Sequence, residues 1–197
     1  GVGADETALM DGTHPAWTRI KFEELLAQQL SLKRAHEERR TRAAPVMPLA
    51  TTDTTPLVAR LLASLPFALT NAQQRVVAEI AHDLEQPHPM QRLLQGDVGS
   101  GKTAAAAEAA IIAIENGFQV VVLAPTEILA TQHYFYFKKL FQKLDYVTIL
   151  VTGSSSAREK VQLKKLAAAG LAHVVVGTHA LLEADVQFKR LGLAIVD

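Results

Sequence analysis

Cysteine is absent from all 197 residues, which excludes a disulfide framework, thiolate metal sites and a cysteine nucleophile, and fits a reducing, cytoplasmic setting. Net charge is absent too. Lys plus Arg number 20 and Asp plus Glu number 20, so any hold on nucleic acid must come from a local patch. Nor is there a long apolar run. The most apolar stretch, Ala104 to Ile114, is interrupted by Glu108 and is too short to span a bilayer, and no signal peptide opens the chain. No membrane partner is expected. What is present is globular composition, 49% hydrophobic against 20% charged, in a length that suits one full domain with an appendage. The chain opens Gly1-Val2-Gly3 without Met and ends inside the apolar run Leu193-Ala194-Ile195-Val196-Asp197, so the expectation is a piece of a longer protein.

Residues 1 to about 15 are small and polar and read as a loop. From Pro15, the residues Trp17, Ile20, Phe22, Leu25, Leu26 and Leu30 are expected near one face of a long amphipathic helix that runs to about Arg40 and needs a partner surface. Pro45, Pro48 and Pro56, with Thr51, Thr52, Thr54 and Thr55, mark an irregular linker. The expected division is a segment 1–56 and a domain 57–197. Within the second, a short helix over Leu57–Leu65 precedes helices over Thr70–Leu84, Lys102–Glu115, Thr126–Leu144 and Ala157–Ala169. They alternate with strands over Arg92–Gln95, Gln119–Ala124, Val147–Val151, His173–Val176 and Leu193–Val196. The strands are continuous Val/Ile/Leu runs, as expected when helices cover both faces of a parallel sheet. The fold class is α/β with a doubly wound, mainly parallel sheet.

Gly96-Asp97-Val98-Gly99-Ser100-Gly101-Lys102-Thr103 fits the phosphate-binding pattern G-x-x-x-x-G-K-[ST] between an expected strand and a helix. Its glycines let the backbone curl so that successive N–H groups point at phosphate oxygens, and the following helix adds its positive N-terminal end. Lys102 would reach the β- and γ-phosphates, and the Thr103 hydroxyl would hold Mg²⁺. Asp197, directly after an apolar strand-like run, is the candidate acidic partner of that Mg²⁺. Upstream, Thr70 and Gln73 form a capping box, S/T-x-x-Q, which alone would explain both. The alternative sets Phe67 against an adenine face and pairs the Gln73 amide with the adenine edge. Spacing favours the cap.

The order Phe67-x-x-Thr70-x-x-Gln73, the Gly96–Thr103 loop, Ala124-Pro125-Thr126-Glu127-Ile128-Leu129-Ala130-x-Gln132-His133, Gly177-Thr178-His179-Ala180-Leu181 and Ile195-Val196-Asp197 resembles the first RecA-like motor domain of superfamily 2 DNA helicases. Within them it is most similar to the bacterial RecG-type branch-migration helicases, with transcription-repair coupling translocases and primosomal helicases as sisters. His14-Pro15-Ala16-Trp17 and Arg19 to Leu26 resemble the helix that joins the RecG-type wedge domain to its motor. The resemblance covers residues 14 to 197. It implies a RecA-like P-loop fold, ATP and Mg²⁺ as cofactors, and an adenine-sensing role for Phe67 and Gln73. Gly96, Asp97, Val98, Gly99, Ser100, Gly101, Lys102 and Thr103 would cradle phosphate, and Asp197 would open the D-E-x-H box. It further implies that Pro125, Thr126, Gln132, Thr152, Gly153, Gly177, Thr178 and His179 face a DNA backbone. The implied partners are branched or duplex DNA and the second RecA-like domain and wedge domain of the same protein. Without the Glu and His of that box, the piece by itself is expected to hydrolyse no ATP.

Local charge agrees modestly. Between Thr126 and Lys165 lie seven Lys and Arg against three acids, although Lys138, Lys139, Lys164 and Lys165 individually read more readily as solvated helix faces. Tyr134-Phe135-Tyr136-Phe137 reads as core packing on a helix in preference to base stacking. The function expected is an ATP-dependent DNA helicase or translocase of recombination and repair. The alternatives are a related superfamily 2 translocase, a P-loop ATPase unrelated to DNA, and a non-enzymatic interaction module docked through the N-terminal helix.

Overall fold

The computed structural model describes residues 7–8, 10–12, 14–49, 69–97, 101–179, 181 and 186–197. Among them, short runs rich in Val, Leu and Ile form β1 (Gln119–Leu123), β2 (Thr148–Val151), β3 (Val174–Gly177) and β4 (Leu191–Val196). They pair in the order β2-β3-β1-β4, every neighbouring pair parallel. Successive side chains of a strand point to opposite faces. Val120 and Val122 therefore enter one core and Val121 and Leu123 a second.

The helices are α1 (Pro15–Arg40), α2 (Asn71–Leu84), α3 (Lys102–Glu115), α4 (Glu127–Phe141) and α5 (Ala157–Ala169). The larger core takes Ile80 and Leu84 from α2, the alanines and isoleucines of α3, and Phe137 and Phe141 from α4. The second takes Leu163, Leu166 and Ala167 from α5. Both faces are covered, so the doubly wound reading holds. Tyr136 and Phe137 pack inward as expected, whereas Phe135 is exposed. Helix limits follow local chemistry. Thr70, Thr126 and Ser156 cap α2, α4 and α5 with side-chain oxygens, and α5 stops at Gly170, whose φ of 75° is left-handed. At Gly177 the constraint is space, since an added Cβ would lie 2.6 Å from the Val151 carbonyl across the ladder.

Three expectations need correction. Arg92–Gln95 forms no strand: residues 91–97 carry no ladder pairing and Leu93 is 81% exposed. A strand exists through a neighbour's hydrogen bonds, and β4 stands at the sheet edge. Residues 92–94 and β4 instead line a cavity of about 360 Å³ with an apolar wall that includes Ile80, Leu94, Phe137 and Ile195. Residues 7, 8 and 10 are helical, not loop, with Asp11 N–H donating to the Thr7 carbonyl at 2.9 Å. The apolar residues of α1 share no single face, because Ile20 and Phe22, two apart, project to different sides of the helix. Trp17, Ile20, Phe22, Leu25, Leu26 and Leu30 are all between 38% and 64% exposed. The expected helix at Leu57–Leu65 and the end of the Pro/Thr linker lie outside the described residues. The chain divides into two compact units, 1–44 with 87–89, and 45–86 with 90–197.

A buried amide ties β1 to the far side of the sheet. Gln119 Nε2 donates to the carbonyls of Ala167 (2.9 Å) and Ala172 (2.7 Å), while its Oε1 accepts the Arg190 N–H at 3.1 Å. Gln119→Leu leaves the Ala172 carbonyl and the Arg190 N–H without their side-chain partner, while the Ala167 carbonyl keeps the Gly170 N–H, and it is expected to lower stability by about 2 kcal/mol. Denaturant unfolding checks this, and an unchanged midpoint at unchanged slope would contradict it.

Candidate functional site

The loop after residue 95 reaches α3 through Gly101, whose φ of 84° only glycine adopts without strain. A second reason for glycine is a neighbour: a Cβ there would lie 2.0 Å from Gln73 Nε2. The Gln73 side chain thus packs on the phosphate-loop backbone. The oxygen of the same amide completes the capping box, with Oε1 accepting the Thr70 N–H at 2.7 Å and Thr70 Oγ1 accepting the Gln73 N–H at 3.3 Å. The cap expected from spacing is present, and it leaves the amide beside the loop. Lys102 Nζ donates to the carbonyls of Gly96 (2.6 Å) and Asp97 (2.8 Å), which hold the ammonium against the start of the loop. A cavity of about 400 Å³ is lined by Thr70, Gln73, Val76, Gly96, Gly101 and Lys102. Phe67, Val98, Gly99 and Ser100 lie outside the described residues.

Asp197 sits at the end of β4, held by its N–H to the Leu123 carbonyl at 2.9 Å. Its Oδ2 lies 2.8 Å from His133 Nε2 on α4. Lys102, Thr103, His133 and Asp197 line one cavity. No sequence pattern announces this contact, because the two partners lie 64 residues apart. Among the described residues no cluster of three His, Asp or Glu gathers to hold a metal unaided.

In a parallel sheet all carboxyl ends lie along one edge, and the residues expected to face DNA collect there. Pro125 and Thr126 follow β1, Thr152 and Gly153 follow β2, and Gly177, Thr178 and His179 end or follow β3. Pro125, Thr126, Gly153 and His179 are exposed, as is Gln132 on α4. Thr152 is buried, with its Oγ1 bonded within the loop to Ser154 (2.9 Å) and Ser155 (3.3 Å). It shapes the turn. A second residue missed from sequence is Glu127, whose carboxylate accepts the Ser154 N–H at 3.1 Å and hydroxyl at 2.8 Å. These bonds, the hydroxyl's first, hold its carboxyl below the usual range.

A doubly wound parallel sheet with a glycine-rich loop, a lysine and a hydroxyl at the start of a buried helix, and an acid at the end of a neighbouring strand, defines a RecA-like P-loop nucleotide-binding fold. The model of the DEAD/DEAH box helicase family matches residues 70–197. The chain belongs to that family.

Among curated relatives, it is 47% identical over 191 residues to the ATP-dependent DNA helicase RecG of Pasteurella multocida (strain Pm70), covering 96% of this chain and 27% of that protein. With RecG of Escherichia coli (strain K12) the identity is 44% over 191 residues, at the same 96% and 27%. A solved structure, described as RecG bound to a three-way DNA junction, superposes with a TM-score of 0.81 at 39% identity, covering 93% of this chain and 26% of that one. The chain thus spans about a quarter of the length of the relatives it matches.

Proposed function

We propose that this chain is the first RecA-like motor domain of an ATP-dependent DNA helicase that remodels branched DNA in recombination and repair in the cytoplasm. The observation that carries the reading is the convergence of Gln73 on Gly101 and Lys102, with Thr103 and Asp197 lining the adjoining cavity. Support for DNA comes from the relatives' names and from the junction-bound neighbour. No helix among the described residues is long and apolar enough to cross a membrane.

In this reading the loop amides from Gly96 to Gly101 bind phosphate, and Lys102 exchanges its two carbonyl partners for the β- and γ-phosphate oxygens. Thr103 and Asp197 hold Mg²⁺, which when bound offsets charge on the phosphate oxygens. Phe67 and Gln73 face the adenine. Pro125, Thr126, Gln132, Gly153, Thr178 and His179 line the DNA path, supplying backbone amides and short polar groups to phosphates, and the buried Thr152 and Gly177 shape the turns that present them. A second RecA-like domain completes the nucleotide site, and a wedge domain, joined through residues 1–56 to the motor 57–197, meets the branch.

Binding of a labelled three-way junction by the intact protein tests the reading, with affinity expected to fall steeply as salt rises. Salt-insensitive binding, or none, would remove the DNA assignment. For the base, Gln73→Ala is expected to weaken ATP far more than GTP, whereas loss of a cap alone destabilises by about 1 kcal/mol and affects both nucleotides alike. Competition titrations with the two nucleotides separate these outcomes.

A further inference from the structure

Two of the loops assigned to DNA are joined by a side chain that belongs to neither recognition set. Thr126 Oγ1 accepts the Leu129 N–H at 3.3 Å and opens α4. The next residue, Glu127, reaches across to the loop after β2. Its Oε1 accepts the Ser154 backbone N–H at 3.1 Å and its Oε2 accepts the Ser154 hydroxyl at 2.8 Å. Gly153 adjoins the same carboxylate so closely that an added Cβ would lie 2.8 Å from Oε1. From the other side, Lys160 Nζ donates to the Gly153 carbonyl at 2.7 Å. Inside the loop, the Ser155 N–H donates to the Thr152 carbonyl at 3.3 Å, and Ser154 Oγ sits 2.9 Å from Thr152 Oγ1.

We infer that Glu127 is a positioning residue that fixes the Thr152–Ser155 loop to the first turn of α4, so that Thr126 and Gly153 are presented to a DNA backbone in one geometry. The inference rests on the assignment of these loops to DNA. Glu127 itself does not touch DNA in this account. An exposed carboxylate there repels phosphate, and a protein that needed only positive potential at this edge would be better served by a neutral residue. What the carboxylate supplies is two charge-assisted hydrogen bonds in fixed directions. Without them the loop has more conformations to lose on binding, and DNA affinity falls by that ordering.

The test compares Glu127→Ala, Glu127→Gln and Ser154→Ala in the intact protein, with DNA-stimulated phosphate release titrated against a three-way junction. Glu127→Ala is expected to raise the half-saturating DNA concentration about tenfold. Glu127→Gln keeps an oxygen for the Ser154 N–H and is expected to stay within about threefold of wild type. Ser154→Ala shifts in the same direction as Glu127→Ala, and the double variant falls well short of the product of the two single effects, since the Glu127–Ser154 hydroxyl bond is common to both. The rate of ATP hydrolysis per protein without DNA stays at the wild-type value throughout, which a general loss of folding would not allow. Hydrogen exchange at the Ser154 amide accelerates in Glu127→Ala. Tighter DNA binding by both Glu127 variants would reduce Glu127 to a repulsive charge and overturn the inference, as would wild-type half-saturation in Glu127→Ala. Wild-type protein that no DNA stimulates would overturn the DNA assignment itself, and the inference with it.

Discussion

Lys102→Ala in the intact protein is expected to lower ATP turnover by about a thousandfold, because one ammonium aimed at the transferring phosphate stabilises charge that no neighbour replaces. Lys102 Nζ already lies 2.6 Å from the Gly96 carbonyl and 2.8 Å from that of Asp97. It is therefore held by the loop itself, and its path to phosphate is a short exchange of partners. Removal also leaves those carbonyls without the ammonium, so the loop should loosen and nucleotide binding weaken along with turnover. Phosphate release and nucleotide titration measure the two parts. Junction binding without nucleotide should survive, since the residues assigned to DNA follow β1, β2 and β3, apart from this loop. Turnover within a few-fold of wild type would remove Lys102 from the chemistry.

The second large effect belongs to stability. Glu108 lies on α3 at 1% exposure among alanines and isoleucines, and its Oε1 finds no hydrogen-bond partner among the described residues. Burial pushes its pKa up from 4.5 to about 7. Below pH 4.5 the carboxyl is neutral in the folded and unfolded chains alike, and its ionisation carries no penalty for the fold. Between pH 4.5 and 7 the unfolded chain releases the proton while the folded protein keeps it, so stability falls as pH rises through that window. The loss amounts to about 3 kcal/mol by pH 8. Glu108→Leu is expected to recover about that much at pH 8 and much less at pH 4. More tellingly, the decline between those values should flatten in the variant. Denaturant unfolding at several pH values measures it, and an unaltered pH slope in Glu108→Leu would show that the wild-type dependence arises elsewhere.

What was legible in the sequence was what is written locally. The helix starts at Thr70 and Ser156 and the stop at Gly170 are set by residues within one turn, and all three are present. The loop from Gly96 to Thr103 is legible for the same reason: its glycines, lysine and hydroxyl are consecutive. The Val/Ile/Leu strands β1, β2 and β3 were legible because burial on both faces leaves no alternation to hide them, while the edge strand β4, much of it exposed, was legible from its apolar run alone. What failed depends on distant partners. Arg92–Gln95 has strand composition, yet pairing requires a neighbour, and none of the described strands pairs with it. The apolar residues of α1 suggest a face only until their angular spread is followed around the helix. Glu127 meets Ser154 across 27 residues and His133 meets Asp197 across 64, contacts that the sheet order creates and no short motif announces. Gln73 shows both sides: the cap was written in the spacing, whereas its packing on Gly101 appears only once α2 and α3 are placed together.

The central claim is that one edge of this sheet couples an adenine-nucleotide site to DNA. Its most direct test is phosphate release by the intact protein with Mg²⁺-ATP, measured with and without a three-way junction and repeated with Lys102→Ala. The account predicts hydrolysis stimulated by at least about tenfold on the junction, with the stimulated rate lost in Lys102→Ala. ATP hydrolysis that proceeds at the same rate with and without DNA would contradict it.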